Sequence, residues 1–147
     1  MKKVLLILAC GIATQLSYAQ ATPKWADKAK KAVFSIVTYD KDNKIKNTGN
    51  GFYINENGTA LSDYTLFEGA ERAVIINADS KELPVLRILG ANSMYDIVKF
   101  NTETDKKTIA LKSASQPASV GETVYLLPYS TQKAATCQTG TVTKVDT

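Results

Sequence analysis

Across its 147 residues the chain contains no histidine, so it lacks the commonest general base and the commonest metal ligand of protein chemistry. No imidazole is available to take the proton of a serine or cysteine nucleophile near neutral pH, which removes the usual serine–histidine and cysteine–histidine routes. Zinc fails on the same ground, because the two cysteines, Cys10 and Cys137, are unpaired in spacing and have no histidine to join them. Lysines are plentiful, yet no motif sets one beside a buried serine as a Ser–Lys dyad would require. Gly49, Gly51, Gly58 and Gly69 are scattered turn glycines and form neither a phosphate loop nor a dinucleotide fingerprint. The carboxylates between Asp40 and Asn50 lack the spacing of a calcium hand. The residues therefore predict no cofactor and no metal site.

Any remaining chemistry would have to be positioned by the elements around Gly49–Ala70, GNGFYINENGTALSDYTLFEGA. Gly51–Ile54 and Thr59–Ser62 read as two short strands, joined by Asn55-Glu56-Asn57-Gly58, where Asn-Gly supplies the positive φ of a hairpin turn. Asp63-Tyr64-Thr65 then leads into one helical turn, Leu66–Ala70. Upstream, Thr22-Pro23-Lys24-Trp25 opens a short helix within residues 20–32, with Thr22 as its cap. Trp25, Ala29 and Ala32 share one face, and Trp25 is expected to pack that helix onto the body of the fold. Val33–Tyr39 is a strand, rich in β-branched and aromatic residues, and Asp40–Asn50 reads as a polar, mobile loop. Downstream, strands are expected over Arg72–Ala78, Glu82–Leu89 and Ile97–Phe100, with Pro84 marking an edge or a bulge. A charged turn, Thr102–Lys107, and a brief extended piece, Ile109–Leu111, follow. Short strands at short spacing, without a long helical period, predict an all-β barrel or sandwich.

The same stretches, taken in order, resemble the trypsin-like serine proteases of the periplasmic HtrA/DegP type. In that family a glycine-rich strand and an Asn/Asp-Gly turn precede a strand ending Thr-Asn-x-His, then Val-Val-x-Gly-Ala. Here the ending is Ser62-Asp63-Tyr64-Thr65, then Leu66-Phe67-Glu68-Gly69-Ala70. Asp79-Ser80-Lys81-Glu82-Leu83-Pro84-Val85 is similar to the family's Asp-Gly-Arg-x-Phe-Pro-Ala hairpin, and Gly90 to Phe100 to its Gly-x-Asp-x-x-x-Asp-Leu-Ala-Val-Leu segment. Val120–Leu127 and Gly140–Val145 resemble the two strands that begin the family's second barrel. The likeness covers about Val33 to Val145 and implies a chymotrypsin-type β-barrel, the first barrel followed by the first hairpin of the second, over residues 33–147.

The resemblance sets Asp96 at the family's catalytic aspartate and Thr65 at its histidine. A threonine hydroxyl has no useful proton affinity near neutral pH, and the family's Gly-x-Ser-Gly-Gly nucleophile loop, with its oxyanion amides, has no counterpart here. Asp96 would be a vestigial carboxylate, satisfied by Tyr64, Thr65 or a main-chain amide. The implied function is a catalytically inactive protein of the serine-peptidase fold that binds in the cell envelope, accepting an extended peptide or protein at an open sheet edge. The alternative is the N-terminal part of a periplasmic endopeptidase. With only half of a second core, Val124, Leu126 and Val142 would favour association.

Compartment and charge fit this picture. Lys2 and Lys3, the apolar run Val4–Ala13 and Ser17-Tyr18-Ala19 form a cleavable export signal over residues 1–19, too short to span a bilayer. A second reading takes Ile7-Leu8-Ala9-Cys10 as a lipoprotein signal acting on Cys10. A periplasmic or secreted location follows. Cleavage removes two lysines and no acids, lowering the formal charge from +4 to +2. The cluster Lys24, Lys28, Lys30, Lys31 is a solvated helix face, and no basic stripe interleaved with aromatics supports nucleic-acid binding. Cys137, left as the only cysteine, is expected to be buried in a strand.

Overall fold

In a computed structural model, residues 22–104, 106–127 and 137–146 are described; the expected export signal lies outside them. Six strands, β1 (Val33–Tyr39), β2 (Ile45–Tyr53), β3 (Thr59–Ser62), β4 (Arg72–Ile76), β5 (Glu82–Asn92) and β6 (Ile97–Thr102), close into one antiparallel barrel. Their order around the wall is β1-β2-β3-β6-β5-β4, and β4 returns to pair with β1. Closure gives each of the six strands a neighbour on both sides, although Ile45–Asn50 of β2 pair with β1 alone because β3 meets β2 only at Gly51–Tyr53. A separate two-stranded ribbon, β7 (Thr123–Leu126) and β8 (Gln138–Thr141), pairs Thr123 with Thr141 and Leu126 with Gln138. The all-β architecture that strand spacing predicts is therefore present, as a barrel rather than a sandwich.

Period-two alternation builds the interior. In β1, Phe34, Ile36 and Thr38 are fully buried while Ser35, Val37 and Tyr39 are only partly covered. The core joins Phe34, Ile36, Tyr53, Ala60, Ile75, Leu83, Val98 and Phe100. Its aromatic rings interlock: Phe34 lies 4.8 Å from Tyr53 and 6.3 Å from Phe100, and Phe67 lies 5.1 Å from Phe100. Gly51 makes that packing possible, because a Cβ there would stand 2.6 Å from Phe34 Cε2 and 2.8 Å from Leu61 O. The β2–β3 turn follows its sequence signature. Asn55 Oδ1 accepts the N–H groups of Asn57 and Thr59, and Gly58 carries φ +80°.

Several boundaries differ from expectation. Asp40–Asn50 is not a loop: β2 begins at Ile45, and only five residues turn the chain, held by Asp40 Oδ1 accepting the N–H groups of Asp42 and Lys44 at 2.9 Å each. The polar residues of Ile45–Asn50 are those of a barrel wall open to solvent, so polarity here marks exposure rather than irregular backbone. β4 stops at Ile76, where Asn77 Oδ1 turns the chain by accepting the N–H groups of Asp79 and Lys81. β5 continues to Asn92, with register shifts at Val85/Arg87 and Ile88/Gly90. Pro84 pairs with Val74 in a strand flanked on both sides, so it introduces a bulged stretch rather than an edge.

The N-terminal helix is a single turn, Ala26–Ala29, followed by a 3-10 turn, Lys30–Ala32, and its cap is Trp25 rather than Thr22. Ala26 and Ala32 are fully buried and do the packing expected of Trp25, which is half exposed and sets its ring edge-on to Tyr125 of β7 at 5.1 Å. Cys137 also differs: it is half-buried and precedes β8, because a two-stranded ribbon with both faces largely in solvent has no core to cover it. Residues 108–111 form no strand but are tied to the barrel by Thr108 N–H to Glu56 O (3.0 Å) and Leu111 N–H to Tyr53 O (2.9 Å). Among the described residues no helix is long and apolar enough to cross a membrane.

Candidate functional site

β3 ends at Ser62, whose hydroxyl donates to Asn50 O at 2.7 Å. Asp63, in extended conformation, hands the chain to a 3-10 turn over Tyr64–Leu66. Tyr64, Leu66 and Phe67 pack against the core, and Asn47 Nδ2 donates to Leu66 O at 3.2 Å, so the turn is fixed from beneath. Thr65 is left on the exposed side. On the neighbouring hairpin, Asn92 Oδ1 accepts the N–H of Tyr95, and Asp96 enters β6 with φ +51°. That left-handed conformation is one aspartate tolerates better than bulky residues.

The two turns meet at Asp96. Its Oδ1 accepts both the hydroxyl and the N–H of Thr65, each at 2.7 Å, and its backbone carbonyl accepts the N–H of Tyr64 at 3.2 Å. The two turns are thus joined by three hydrogen bonds, two of them from Thr65, 31 positions away, to an ionised group. The Thr65 hydroxyl first, then the Thr65 amide, hold the Asp96 carboxyl below the ordinary carboxylate range. A carboxylate so stabilised is a weak base, and the hydroxyl beside it is already committed as a donor, so the pair is suited to fixing geometry rather than moving protons. The structure brings the two sequence-derived site residues together and gives them this bond.

Beside the pair, the barrel wall and β7 enclose a groove of about 580 Å³. Val33, Phe52 and Leu61, neighbours across β1, β2 and β3, form its apolar side with Ile97, and Leu126 faces them from the ribbon. Ser62 and Asp63 close the end nearest Thr65. Sequence reasoning missed this groove. Its one signal is Phe52 directly before Tyr53: two large rings in succession break the alternation, so one must face outward if the other is buried. Among the described residues no group of three or more His, Cys, Asp or Glu side chains could hold a metal ion. The chain matches no protein-family model and has no significant match among curated proteins.

Proposed function

We propose that this is an exported, non-catalytic protein of the trypsin-like serine-peptidase type, working in the cell envelope by binding an extended peptide or protein segment. The observation that carries the reading is the Thr65–Asp96 pair. Where the resembled family couples a histidine to its aspartate, here both the hydroxyl and the amide of threonine are spent on Asp96 Oδ1. A general base is thereby replaced by a clamp between two turns. The apolar groove beside it supports binding as the remaining role. It joins outward-facing Phe52 and Leu61 to Tyr125 and Leu126 of an extended β7, an apolar slot beside strand backbone of the kind that takes extended segments.

The test uses the mature protein with a fluorophosphonate probe and with labelled, carboxymethylated casein as an unfolded polypeptide. The probe should not label, and the casein should bind saturably in fluorescence anisotropy and stay uncleaved. Leu126→Lys, at an exposed groove position, should weaken binding by about tenfold, the order expected for losing one desolvated leucine. Stoichiometric probe labelling, casein cleavage that survives purification, or absence of binding would each refute the reading.

A further inference from the structure

Asn-Gly occurs twice in the chain, at Asn50-Gly51 and at Asn57-Gly58, and the fold treats the two pairs differently. In any such pair the main-chain nitrogen of the glycine can attack the side-chain amide carbon of the asparagine, and glycine presents no side chain to obstruct the approach. Closing that five-membered ring requires the peptide unit between the two residues to rotate. Whether it can rotate depends on what holds its N–H and C=O.

Asn50-Gly51 is held. Both residues belong to β2, with Asn50 opposite Ser35 and Gly51 opposite Phe34 of β1, and Gly51 also faces Ser62 of β3. The carbonyl of the linking peptide, Asn50 O, accepts the Ser62 hydroxyl at 2.7 Å. Rotation there would break the pairing of three strands.

Asn57-Gly58 is not held. It lies in the turn between β2 and β3, and Asn57 is exposed. Among the described residues Asn57 O accepts no hydrogen bond, Gly58 N–H donates none, and the Asn57 side chain is likewise unbonded. The anchors stand on either side. Asn55 Oδ1 accepts the N–H groups of Asn57 at 2.9 Å and Thr59 at 3.1 Å, and Thr102 N–H donates to Gly58 O at 3.0 Å. A single peptide unit is thus left to turn between fixed ends, at the one place where the attacking nitrogen and its target meet.

We propose that Asn57 is a site of spontaneous modification to aspartate and isoaspartate, and that the barrel protects Asn50 from the same reaction. Gly58 N bonds to Asn57 Cγ, the Cγ–Nδ2 bond breaks, and the side-chain nitrogen leaves as ammonia while the Gly58 amide proton passes to solvent. Water then opens the cyclic imide at either carbonyl, and opening at the main-chain carbonyl leaves the chain running through the side chain as isoaspartate. The new carboxylate stands beside Glu56, whose side chain pairs with Lys107 at 2.8 Å and whose carbonyl accepts Thr108 N–H at 3.0 Å. The modification therefore falls on the contact that ties residues 108–111 to the barrel. It is independent of peptide binding in the groove.

The test ages the purified protein in neutral and in mildly alkaline buffer, folded and, in parallel, unfolded in guanidinium chloride. Chymotryptic peptides, which part Asn50 from Asn57 at Phe52 and Tyr53, are then read by mass spectrometry and by methyl acceptance with an isoaspartyl methyltransferase. In the folded protein the Asn57 peptide should gain the amide-to-acid mass and accept methyl groups, faster in alkaline buffer because the attacking nitrogen must lose its proton. The Asn50 peptide should lag by at least about tenfold, the factor set by a local opening of only ~1.4 kcal/mol. In guanidinium chloride the two should convert at comparable rates. Asn57→Gln, whose longer side chain cannot close the five-membered ring, should remove the methyl-accepting signal of the folded protein. Asn57 intact in the folded protein, Asn50 converting there as fast as Asn57, or no conversion in either state would overturn the proposal.

Discussion

Gly51→Ala adds a single methyl group to the centre of the fold, and the surroundings determine its cost. Gly51 sits in β2 opposite Phe34 of β1 and Ser62 of β3, so both neighbouring strands fix its position. The added Cβ would lie 2.6 Å from Phe34 Cε2, 2.9 Å from Phe34 Cζ and 2.8 Å from Leu61 O. Neither partner yields easily. The Phe34 ring is held against Tyr53 and Phe100, and Leu61 O belongs to the backbone of a paired strand. Overpacking of this kind costs about 3 kcal/mol at the upper end of the usual range. The lower chain entropy of alanine returns about 0.5–1 kcal/mol, leaving a net loss of about 2 kcal/mol. For a domain of this size that corresponds to a melting temperature lower by roughly 8 °C, measurable by circular dichroism at 218 nm or by calorimetry. Gly90→Ala is the matched control: it is also a strand glycine, but its added Cβ meets nothing within 4 Å. That variant should melt at or slightly above the wild-type temperature. If Gly51→Ala melts with or above the wild type, the close approach of β2 to the Phe34 ring is wrong.

Other perturbations test the core, the clamp and the ribbon. Phe100→Ala, at a fully buried ring touching both Phe34 and Phe67, should destabilise by about 3–5 kcal/mol in urea unfolding, with the slope of the transition unchanged. Tyr53→Phe should change stability by less than about 1 kcal/mol or raise it, because the hydroxyl removed meets no close hydrogen-bond partner among the described residues; a larger loss would reveal a hydrogen bond to that oxygen, with Thr102 the nearest candidate. The Asp96 carboxyl has a lowered pKa in the folded protein, so its contribution is full above the ordinary carboxylate value of about 4 and disappears as pH falls through the lower folded value. Thr65→Val removes the first cause of that lowering. The gap in melting temperature between wild type and Thr65→Val should therefore be widest near neutral pH and close in acid, and a gap independent of pH would refute the charge-assisted bond. Cys137, half-buried beside an open ribbon, should react with a thiol reagent in the native protein, whereas protection until unfolding would mean that the ribbon is covered in solution.

Local sequence was informative wherever the physics is local. The Asn55–Gly58 turn could be read because Asn-Gly both tolerates the required φ and supplies the side-chain acceptor, and β1 could be read because its alternation of large apolar residues has the period of a strand. The lack of histidine, and hence of imidazole chemistry, is a property of composition and needed no structure. Local sequence misleads where a residue's environment is set by distant chain. Ile45–Asn50 looked like a loop because polar residues on a solvent-facing barrel wall carry the same composition as irregular backbone; only pairing with β1 distinguishes them. Trp25 looked like the residue that docks the helix, yet that role fell to Ala26 and Ala32 because the ribbon offered Tyr125 to the indole. Family likeness singled out Thr65 and Asp96, but their bond depends on two turns meeting at one end of the barrel, which closure of six strands decides. Sequence sets the period of each strand and the chemistry of each turn, whereas the contacts that make a site exist only once the barrel has chosen its neighbours.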